Sequence, residues 1–253
     1  MRVAIFSDVH GNSIALDAVL ADIERAGGVD TAWFLGDAAM IGFDPVGTVE
    51  RLAGWPNLVS VSGNGDRRLV TEPEVVRDVT ERFIANANDD DAAIWRSTYA
   101  EYLWSREALQ VAGLFDWLAG LPLEKRLVLP DGTRVLLVHA APGTDEGSGI
   151  RADQSDDELR GMLDGVDAEL VFVGHTHRPL DRTVNAVRVW NPGSVSNPVT
   201  ADIRAMWTLL DADESGYRLE RRFATYDVAG MLSRLAEVHH PAEAHIRGVW
   251  AGR

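Results

Sequence analysis

The first part of the chain alternates between short apolar runs and helical patterns, and this alternation constrains the fold more than any other feature. Val3–Phe6 is an apolar run before the polar residues SDVHGN, as expected of a buried strand that ends in a loop. Further strands are predicted at 31–35 and 58–61, and helices are predicted from Ser13 and over Pro45–Ala53. Short buried strands that alternate with helices predict an α/β protein whose sheet is covered on both faces.

The alternation stops after the third predicted strand. Residues 67 to about 120 contain helical patterns and no convincing strand, so we interpret them as a helical insertion or cap on the sheet. Strands return beyond this segment, including two that flank the hairpin turn Pro130-Asp131-Gly132. A chain of 253 residues suits one large domain, and we expect residues 1–253 to form one, with a polar tail from about 239 to 253.

Composition excludes several classes of protein and of site. The chain has no cysteine, which rules out disulfides, thiolate zinc sites, iron–sulfur clusters and thiol nucleophiles. The 39 acidic and 24 basic residues give a net charge of −15, which argues against a surface that binds duplex nucleic acid. No apolar run approaches the roughly 20 residues of a membrane helix, and the first residues lack the pattern of a signal peptide. We therefore expect no membrane contact and a cytoplasmic location.

Polar side chains follow five of the predicted strands at the points where those strands end. These strand ends carry Ser7-Asp8-Val9-His10, Gly36-Asp37, Gly63-Asn64, Val138-His139 and Gly174-His175-Thr176-His177. Loops at the carboxyl ends of strands converge on one crevice in an α/β sheet, so these groups are expected to meet. Residues two apart in extended chain project to the same side. Each of the pairs Asp8/His10 and His175/His177 can therefore bind one metal ion or span two.

Each of these signals has an ordinary structural explanation when it is taken alone. Asp-x-His, Gly-Asp and Gly-Asn are common in turns, and a single histidine after an apolar strand is more often a hydrogen-bonded core residue. Gly-His-Thr-His is balanced between the two interpretations. Together, in this order and each after an apolar strand, the motifs favour a metal site.

The motifs resemble those of the calcineurin-like metallophosphoesterases, whose pattern is Asp-x-His, Gly-Asp, Gly-Asn-His-Asp/Glu, a histidine after a strand, and Gly-His-x-His. The match extends from Arg2 to about Ser196, includes Asn191-Pro192-Gly193-Ser194, and looks most like the small bacterial phosphodiesterase-type branch. The resemblance implies a four-layer αββα sandwich, in which two mixed β-sheets are flanked by helices, with a two-metal site at one edge. It assigns one metal ion to Asp8, His10, Asp37 and His177, and the other to Asp37, Asn64, His139 and His175.

Under this resemblance Asp37 bridges the two ions, and Asp37, Asn64 and His139 are the predicted catalytic residues. A carboxylate has two oxygens and can span ions about 3.5–4 Å apart. A mixed imidazole, carboxylate and amide set suits Mn²⁺, Fe or Zn²⁺ better than Mg²⁺ or Ca²⁺, and we favour Mn²⁺. Two such ions lower the pKa of a bridging water, which gives a hydroxide that attacks phosphorus.

The sequence therefore predicts a metal-dependent phosphoric ester hydrolase whose partner is a small phosphoester. We expect a phosphodiesterase that acts on small nucleotide-like or activated diesters. Two alternatives stay open: a metal-binding scaffold or protein-interaction module of the same fold with weak or no catalysis, and a phosphomonoesterase acting on proteins or small molecules.

The chain departs from the family pattern at one position, where Gly63-Asn64-Gly65-Asp66 lacks the usual histidine. In the family that imidazole is credited with protonating the leaving oxygen or contacting the phosphate, and general acid catalysis contributes roughly 10²–10⁴-fold. We therefore expect either activated substrates or another group in its place. Asn64, Arg67 and Arg68 are the predicted substrate-binding residues, with surface arginines at a helix start as the equally weighted alternative. Asp66 is expected to act in a turn or as a helix cap.

The predicted insertion also carries Trp95, Tyr99 and either Tyr102 or Leu103 on one helical face. Packing into the core is the favoured interpretation of this face. The alternative is a cap whose aromatic rings stack on a nucleobase.

Overall fold

The computed structural model describes residues 1–251, which form ten strands and nine helices. The strands are β1 (Arg2–Phe6), β2 (Thr31–Phe34), β3 (Leu58–Ser60), β4 (Glu124–Val128), β5 (Arg134–Val138), β6 (Leu170–Phe172), β7 (Leu180–Val184), β8 (Val187–Asn191), β9 (Ala205–Asp213) and β10 (Gly216–Ala224). The helices are α1 (Ser13–Arg25), α2 (Pro45–Ala53), α3 (Asn64–Val70), α4 (Pro73–Ala85), α5 (Asp89–Val111), α6 (Phe115–Ala119), α7 (Asp156–Met162), α8 (Val228–Glu237) and α9 (Glu243–Ala251).

The strands form two mixed five-stranded sheets. The first has the order β10-β9-β1-β2-β3, with β1, β2 and β3 parallel and β9 antiparallel to both of its neighbours, β1 and β10. The second has the order β4-β5-β6-β8-β7, with β5, β6 and β8 parallel and the two edge strands antiparallel. Because each sheet contains three adjacent parallel strands, the carboxyl ends of those strands lie along one edge.

Side chains alternate between two buried environments along the central strands. In β1, Val3 and Ile5 pack into the core between the sheets, whereas Ala4 and Phe6 pack against helices. Trp33 and Phe172 meet edge to face across the core between the sheets, with ring centroids 5.8 Å apart. All of these strand residues are buried, as expected of strands covered on both faces.

Helices cover the outer face of each sheet. Leu16 of α1, Leu52 of α2 and Leu109 of α5 belong to the core on the outer face of the first sheet, and Leu159 of α7 packs on the second. The layers are therefore helix, sheet, sheet and helix, and the expected αββα sandwich is confirmed.

The segment from 64 to 119, between β3 and β4, is helical. It contains α3, α4, α5 and α6, and α4 and α5 form an antiparallel pair that we call the α4–α5 hairpin. Helices are thus found where the insertion is predicted. That residues 1–253 form a single domain, with about 67–120 inserted in it, stays a prediction. Among the described residues, no helix is both long and apolar enough to cross a bilayer.

The end of the chain differs from the polar tail expected over 239–253. Helix α9 begins at Glu243, and its residues Ile246 and Trp250 are buried in a cluster with Met231 and Leu235 of α8. The physical reason is that the segment is amphipathic, with apolar residues four apart at 246 and 250 on one face. Residues 252 and 253 lie outside the described part of the chain.

Candidate metal centre

The seven residues predicted to bind metal all follow strands at the shared edge of the two sheets. Asp8 and His10 follow β1, Asp37 follows β2, and Asn64 is the first residue of the helix after β3. The second sheet contributes the other three, with one after β5 and two after β6, namely His139, His175 and His177. Each sheet therefore supplies part of the cluster, as the convergence of parallel strand ends predicts.

Asp8 and Asp37 lie at the middle of the cluster. The Asp8 Oδ1 atom is 3.3 Å from His177 Nε2, 3.9 Å from His10 Nε2 and 4.0 Å from His139 Nε2. The Asp37 Oδ2 atom is 3.5 Å from His139 Nε2 and 3.8 Å from His10 Nε2. Five of the predicted ligands thus direct donor atoms into one small volume.

These five residues form two overlapping groups that could each hold an ion. One group is Asp8, His10 and His177, and the other is Asp8, Asp37 and His139, with donor atoms within 4.8 Å of one another in each. The resemblance makes Asp37 the shared ligand, whereas Asp8 is common to both groups in the structure. Since Asp37 Oδ2 is also within 4 Å of His10, both carboxylates lie between the two groups.

Asn64 and His175 lie beside this cluster and contact each other. His175 Nδ1 is 2.9 Å from Asn64 Oδ1, and its Nε2 is 2.9 Å from the carbonyl oxygen of Gly147. Both residues line a cavity of about 240 Å³ together with His10, Asp37 and His177. We call this space the metal-centre cavity. The structure places Asn64 and His175 at its wall, outside the two tight groups.

Backbone carbonyls fix the rings of three histidines. His139 Nδ1 lies 2.7 Å from Leu35 O, His177 Nδ1 lies 2.6 Å from Asn197 O, and the Nδ1 of His10 lies 3.2 Å from a third carbonyl, that of Met40. Because a carbonyl oxygen only accepts, each Nδ1 must carry the proton. The Nε2 atoms face the carboxylates, those of His10 and His177 lie 3.0 Å apart, and in this orientation all three can bind a metal ion once deprotonated.

Two buried atoms that could bind a metal ion have no hydrogen-bond partner among the described residues. They are Asp8 Oδ1 and His139 Nε2, and both side chains are completely buried. A buried polar atom without a partner costs about 1–3 kcal/mol. A divalent cation would satisfy both atoms, so the residues present fit a metal ion.

The electrostatics of the cluster also favour a cation. Burial alone would lower the pKa of His139, but the carboxylates of Asp37 and Asp8 raise it to about 10. Burial raises the pKa of Asp37, yet His139 and His10 outweigh it and hold that pKa well below its usual range. The two carboxylates therefore attract positive charge strongly enough to overcome the cost of burying it.

The backbone at the predicted ligands adopts an uncommon shape. Asp8, His10, Asp37, His175 and His177 all have φ between 50° and 64°, in the left-handed region. Few residues other than glycine occur there, and each costs of order 1–3 kcal/mol. Such residues cluster at functional sites, where the surrounding structure imposes the conformation.

Sequence reasoning did not anticipate the role of Asp66. Its Oδ1 accepts from the Ala38 N–H at 2.8 Å, and its Oδ2 accepts from the N–H groups of Asp37 at 2.8 Å and Gly63 at 3.0 Å. The last contact caps α3, as expected. The other two hold the backbone of Asp37, so Asp66 fixes the position of a predicted ligand. The spacing Gly63-x-x-Asp66 before a helix signals only the cap.

The space beside Gly65 is filled by Asp37. The Gly65 N–H donates to Asp37 Oδ1 at 2.7 Å, and a Cβ atom built on Gly65 would lie only 2.9 Å from that oxygen. A side chain at position 65 would therefore require the Asp37 carboxylate to shift. Glycine at this position allows the close approach of a predicted ligand.

Arg67 and Arg68 are held by carboxylates of the loop that follows β5. Arg67 Nε lies 2.6 Å from Asp145 Oδ2, and both arginines contact Glu146 at 2.6–2.7 Å. Arg68 lines the metal-centre cavity, whereas Arg67 lines only a neighbouring cavity. Both arginines are predicted from the sequence to bind substrate, but among the two only Arg68 lines the metal-centre cavity.

Comparisons with known proteins identify relatives along the whole chain. The family model described as "Calcineurin-like phosphoesterase superfamily domain" matches residues 1–215. An uncharacterized protein of Methanocaldococcus jannaschii is 26% identical over 257 residues, covering 94% of this chain and 93% of that protein. The crystal structure of a metallophosphoesterase from Sphaerobacter thermophilus has a TM-score of 0.74 and 27% identity, covering 100% of this chain and 99% of that one. A hypothetical protein of Pyrococcus horikoshii shares the fold with a TM-score of 0.80 at 20% identity, covering 96% of this chain and 95% of that one.

Proposed function

The chain belongs to the calcineurin-like phosphoesterase superfamily, and we propose that it uses two divalent metal ions to hydrolyse small phosphodiesters. The observation that carries this proposal is the pair of buried, unpartnered donor atoms, Asp8 Oδ1 and His139 Nε2, inside a cluster of carboxylates and imidazoles. We assign one ion to Asp8, His10, Asp37 and His177, and the other to Asp37, Asn64, His139 and His175. Mn²⁺ is the proposed ion because this mixed oxygen and nitrogen set suits it.

Each group of residues has its own part in this proposal. When bound, the ions supply Lewis-acid stabilisation of the phosphoryl oxygens and lower the pKa of coordinated water. The histidines keep Nε2 available because their Nδ1 atoms donate to backbone carbonyls. The amide of Asn64 and the guanidinium of Arg68, both on the wall of the metal-centre cavity, hold the phosphoryl group.

A diester is favoured over a monoester by the residues that line the metal-centre cavity. Apart from the predicted metal ligands, Arg68 is the one titratable side chain among the described residues that line it. A single guanidinium suits the single negative charge of a diester. Since the histidines there are assigned to the metal ions and a guanidinium keeps its proton, substrates with good leaving groups are expected to react fastest.

The experiment is metal-dependent hydrolysis of bis(p-nitrophenyl) phosphate. The chelator-treated protein should be inactive, Mn²⁺ should restore activity, and Asp37→Asn should lower kcat/KM at least about a thousandfold, equivalent to ~4 kcal/mol. Asp17→Asn is the matched control, because Asp17 is an exposed carboxylate of α1 that pairs with Arg51 of α2 and belongs to neither candidate metal-binding group. If the protein binds Mn²⁺ and still releases no p-nitrophenol, it is a metal-binding scaffold and the proposed hydrolysis is wrong.

Two further parts of the proposal have separate tests. Activity with Mn²⁺, Zn²⁺, Fe²⁺ and Mg²⁺ at equal free concentrations would identify the preferred ion, and Mn²⁺ is expected to give the highest rate. The cytoplasmic location stays a prediction, which cell fractionation would check.

A further inference from the structure

An apolar cleft lies between the two helices of the α4–α5 hairpin. Val75, Val79 and Phe83 of α4 face Trp95 and Tyr99 of α5 around a space of about 190 Å³. We call this space the aromatic cleft. A closed apolar cavity of about 150 Å³ accommodates benzene, so the aromatic cleft has room for one aromatic group.

The walls of the aromatic cleft are unusually exposed for apolar side chains. Val75 is 54% exposed, Val79 is 45% exposed and Phe83 is 50% exposed, and no residue of α4 is buried. Phe83 stacks on Trp95 with ring centroids 4.6 Å apart, which keeps both rings in place at the cleft wall. Contiguous exposed apolar surface on an otherwise charged protein marks a binding site.

The aromatic cleft adjoins the metal-centre cavity. Met40, Arg68 and Thr98 line both spaces, so a molecule held at the metal centre can extend past these three residues and reach the aromatic rings. Arg68 lies at the junction, where it can contact a phosphoryl oxygen while the rest of the molecule lies in the cleft. The occupant is therefore the part of a phosphoester that lies next to its phosphorus.

The chemistry of the metal centre selects the same kind of group. Beyond Arg68 and the predicted ligands, no titratable side chain lines the cavity among the described residues, so we expect the departing oxygen to leave as an anion. Aryl oxides leave in this form far more readily than alkoxides. An aromatic ester group satisfies both the leaving-group requirement and the apolar walls of the cleft.

We propose that the aromatic cleft binds an aryl ester group of the substrate, with Val79, Phe83 and Trp95 contacting the ring and Arg68 contacting the phosphoryl group. This inference rests on the proposed phosphodiesterase function for its biological role. For Trp95 and Tyr99 the proposal adopts the alternative interpretation of this helical face, as a site for an aromatic group, whereas the favoured interpretation, core packing, holds for Tyr102, which is 1% exposed.

The first experiment measures binding without catalysis. Calorimetry of the Mn²⁺-loaded protein would compare the monomethyl esters of naphthylmethylphosphonate, hexylphosphonate and methylphosphonate, named below by their parent phosphonates; each carries the single charge of a diester, and none can be hydrolysed at the carbon–phosphorus bond. The naphthyl compound should bind at least tenfold more tightly than methylphosphonate and more tightly than the hexyl compound. Equal binding of all three, no binding of any, or a preference for the hexyl compound overturns the proposal.

Substitutions test whether the preference for the naphthyl compound arises in the aromatic cleft. Val79→Gln and Phe83→Ala should each weaken naphthylmethylphosphonate binding about fivefold and leave methylphosphonate binding unchanged. Val128→Gln is the matched control, because Val128 is 66% exposed on β4 in the other sheet and should change neither affinity. If the aryl preference survives Val79→Gln and Phe83→Ala, the ring binds elsewhere and the proposal is wrong.

Kinetics separate this inference from the proposed function. For bis(p-nitrophenyl) phosphate, Val79→Gln should raise KM about fivefold and change kcat less than twofold. Hydrolysis without a preference for aryl compounds would leave the phosphodiesterase proposal intact and rule out aryl binding in the aromatic cleft. The opposite result is a protein that hydrolyses no diester but binds aryl compounds preferentially, with a preference that Val79→Gln abolishes. It would support aryl binding in the cleft and rule out the phosphodiesterase proposal.

Discussion

At the metal centre Asp8 and His139 are completely buried and three histidine rings are held by backbone carbonyls, whereas in the neighbouring α4–α5 hairpin no residue of α4 is buried. The first region is determined by contacts on every side, whereas α4 is held mainly by its packing on α5. The contrast indicates that the residues for the reaction lie in a part of the molecule that tolerates few substitutions, whereas the residues for substrate selection lie in a part that tolerates more.

The largest expected effect is on stability and compares two phenylalanines. Phe34 is completely buried on β2, so Phe34→Ala should lower the free energy of unfolding by about 3–5 kcal/mol. Phe83 on α4 is half exposed, so Phe83→Ala should change it by only about 0.5 kcal/mol. Urea denaturation followed by circular dichroism measures both. Comparable losses would mean that the hairpin is part of the cooperative core.

The second prediction concerns Glu101, which joins the hairpin to the loop after β2. This α5 carboxylate is buried and accepts from the Ile41 N–H and the Ser105 hydroxyl. Burial raises the pKa of Glu101 from 4.5 to about 7, although these two hydrogen bonds oppose the shift. The folded state therefore binds more protons than the unfolded state between these two values, and stability is lost as pH rises through that window.

Glu101→Gln removes this titration. Relative to the natural chain, the variant should gain about 2–3 kcal/mol in the free energy of unfolding on going from pH 5 to pH 8. Chemical denaturation at the two pH values measures the gain. Glu107→Gln on the exposed side of α5 is the control and should show no such gain. A pH-independent difference between Glu101→Gln and the natural chain would contradict the prediction.

The third prediction concerns Asp66, which positions Asp37. Asp66→Asn presents an NH₂ group to at least one backbone N–H, so the affinity for Mn²⁺ should fall about 10–100-fold. Equilibrium dialysis measures this affinity. The control is Asp227→Asn, in which the amide oxygen can still accept from the Gly230 N–H at the start of α8, so Mn²⁺ affinity should not change. Unchanged Mn²⁺ binding in Asp66→Asn would show that Asp37 is held by other contacts.

The smallest expected effect separates the two arginines of α3. Arg68→Ala should raise KM for bis(p-nitrophenyl) phosphate about fivefold, equivalent to ~1 kcal/mol, because Arg68 lines the metal-centre cavity. Arg67→Ala should change KM less than twofold, since its guanidinium is engaged by Asp145 and Glu146. Steady-state kinetics decide between them. Equal effects would mean that the whole ion-pair cluster, and not Arg68 alone, orients the substrate.

The sheet edge was the most predictable part of the molecule. Apolar strands with polar ends predict the αββα sandwich through the resemblance, and the structure brings Asp8, His10, Asp37, His139 and His177 together as expected. Strand ends are predictable because a buried strand needs continuous apolar residues and the chain must turn where they stop. The order of motifs along the chain then specifies which ends carry the ligands.

Contacts between distant segments could not be read from the sequence. The two backbone contacts of Asp66 near Asp37 join residues 28 and 29 positions apart, and the sequence shows only the local cap. The central position of Asp8 between the two groups likewise depends on how the sheets pack. At the end of the chain, α9 is stabilised by packing on α8, a contact between two helices that the sequence of α9 alone does not show.

The left-handed backbone at Asp8, His10 and Asp37 has a consequence for how such a chain can change over generations. Glycine adopts that shape freely, so replacing any of these residues by glycine would relieve about 1–2 kcal/mol of unfavourable conformation while deleting a side chain. A lineage without need of these side chains would gain robustness by drifting toward glycine at several of these positions. A gain in thermal resistance on such replacement would show directly that the native residues are kept at a thermodynamic disadvantage.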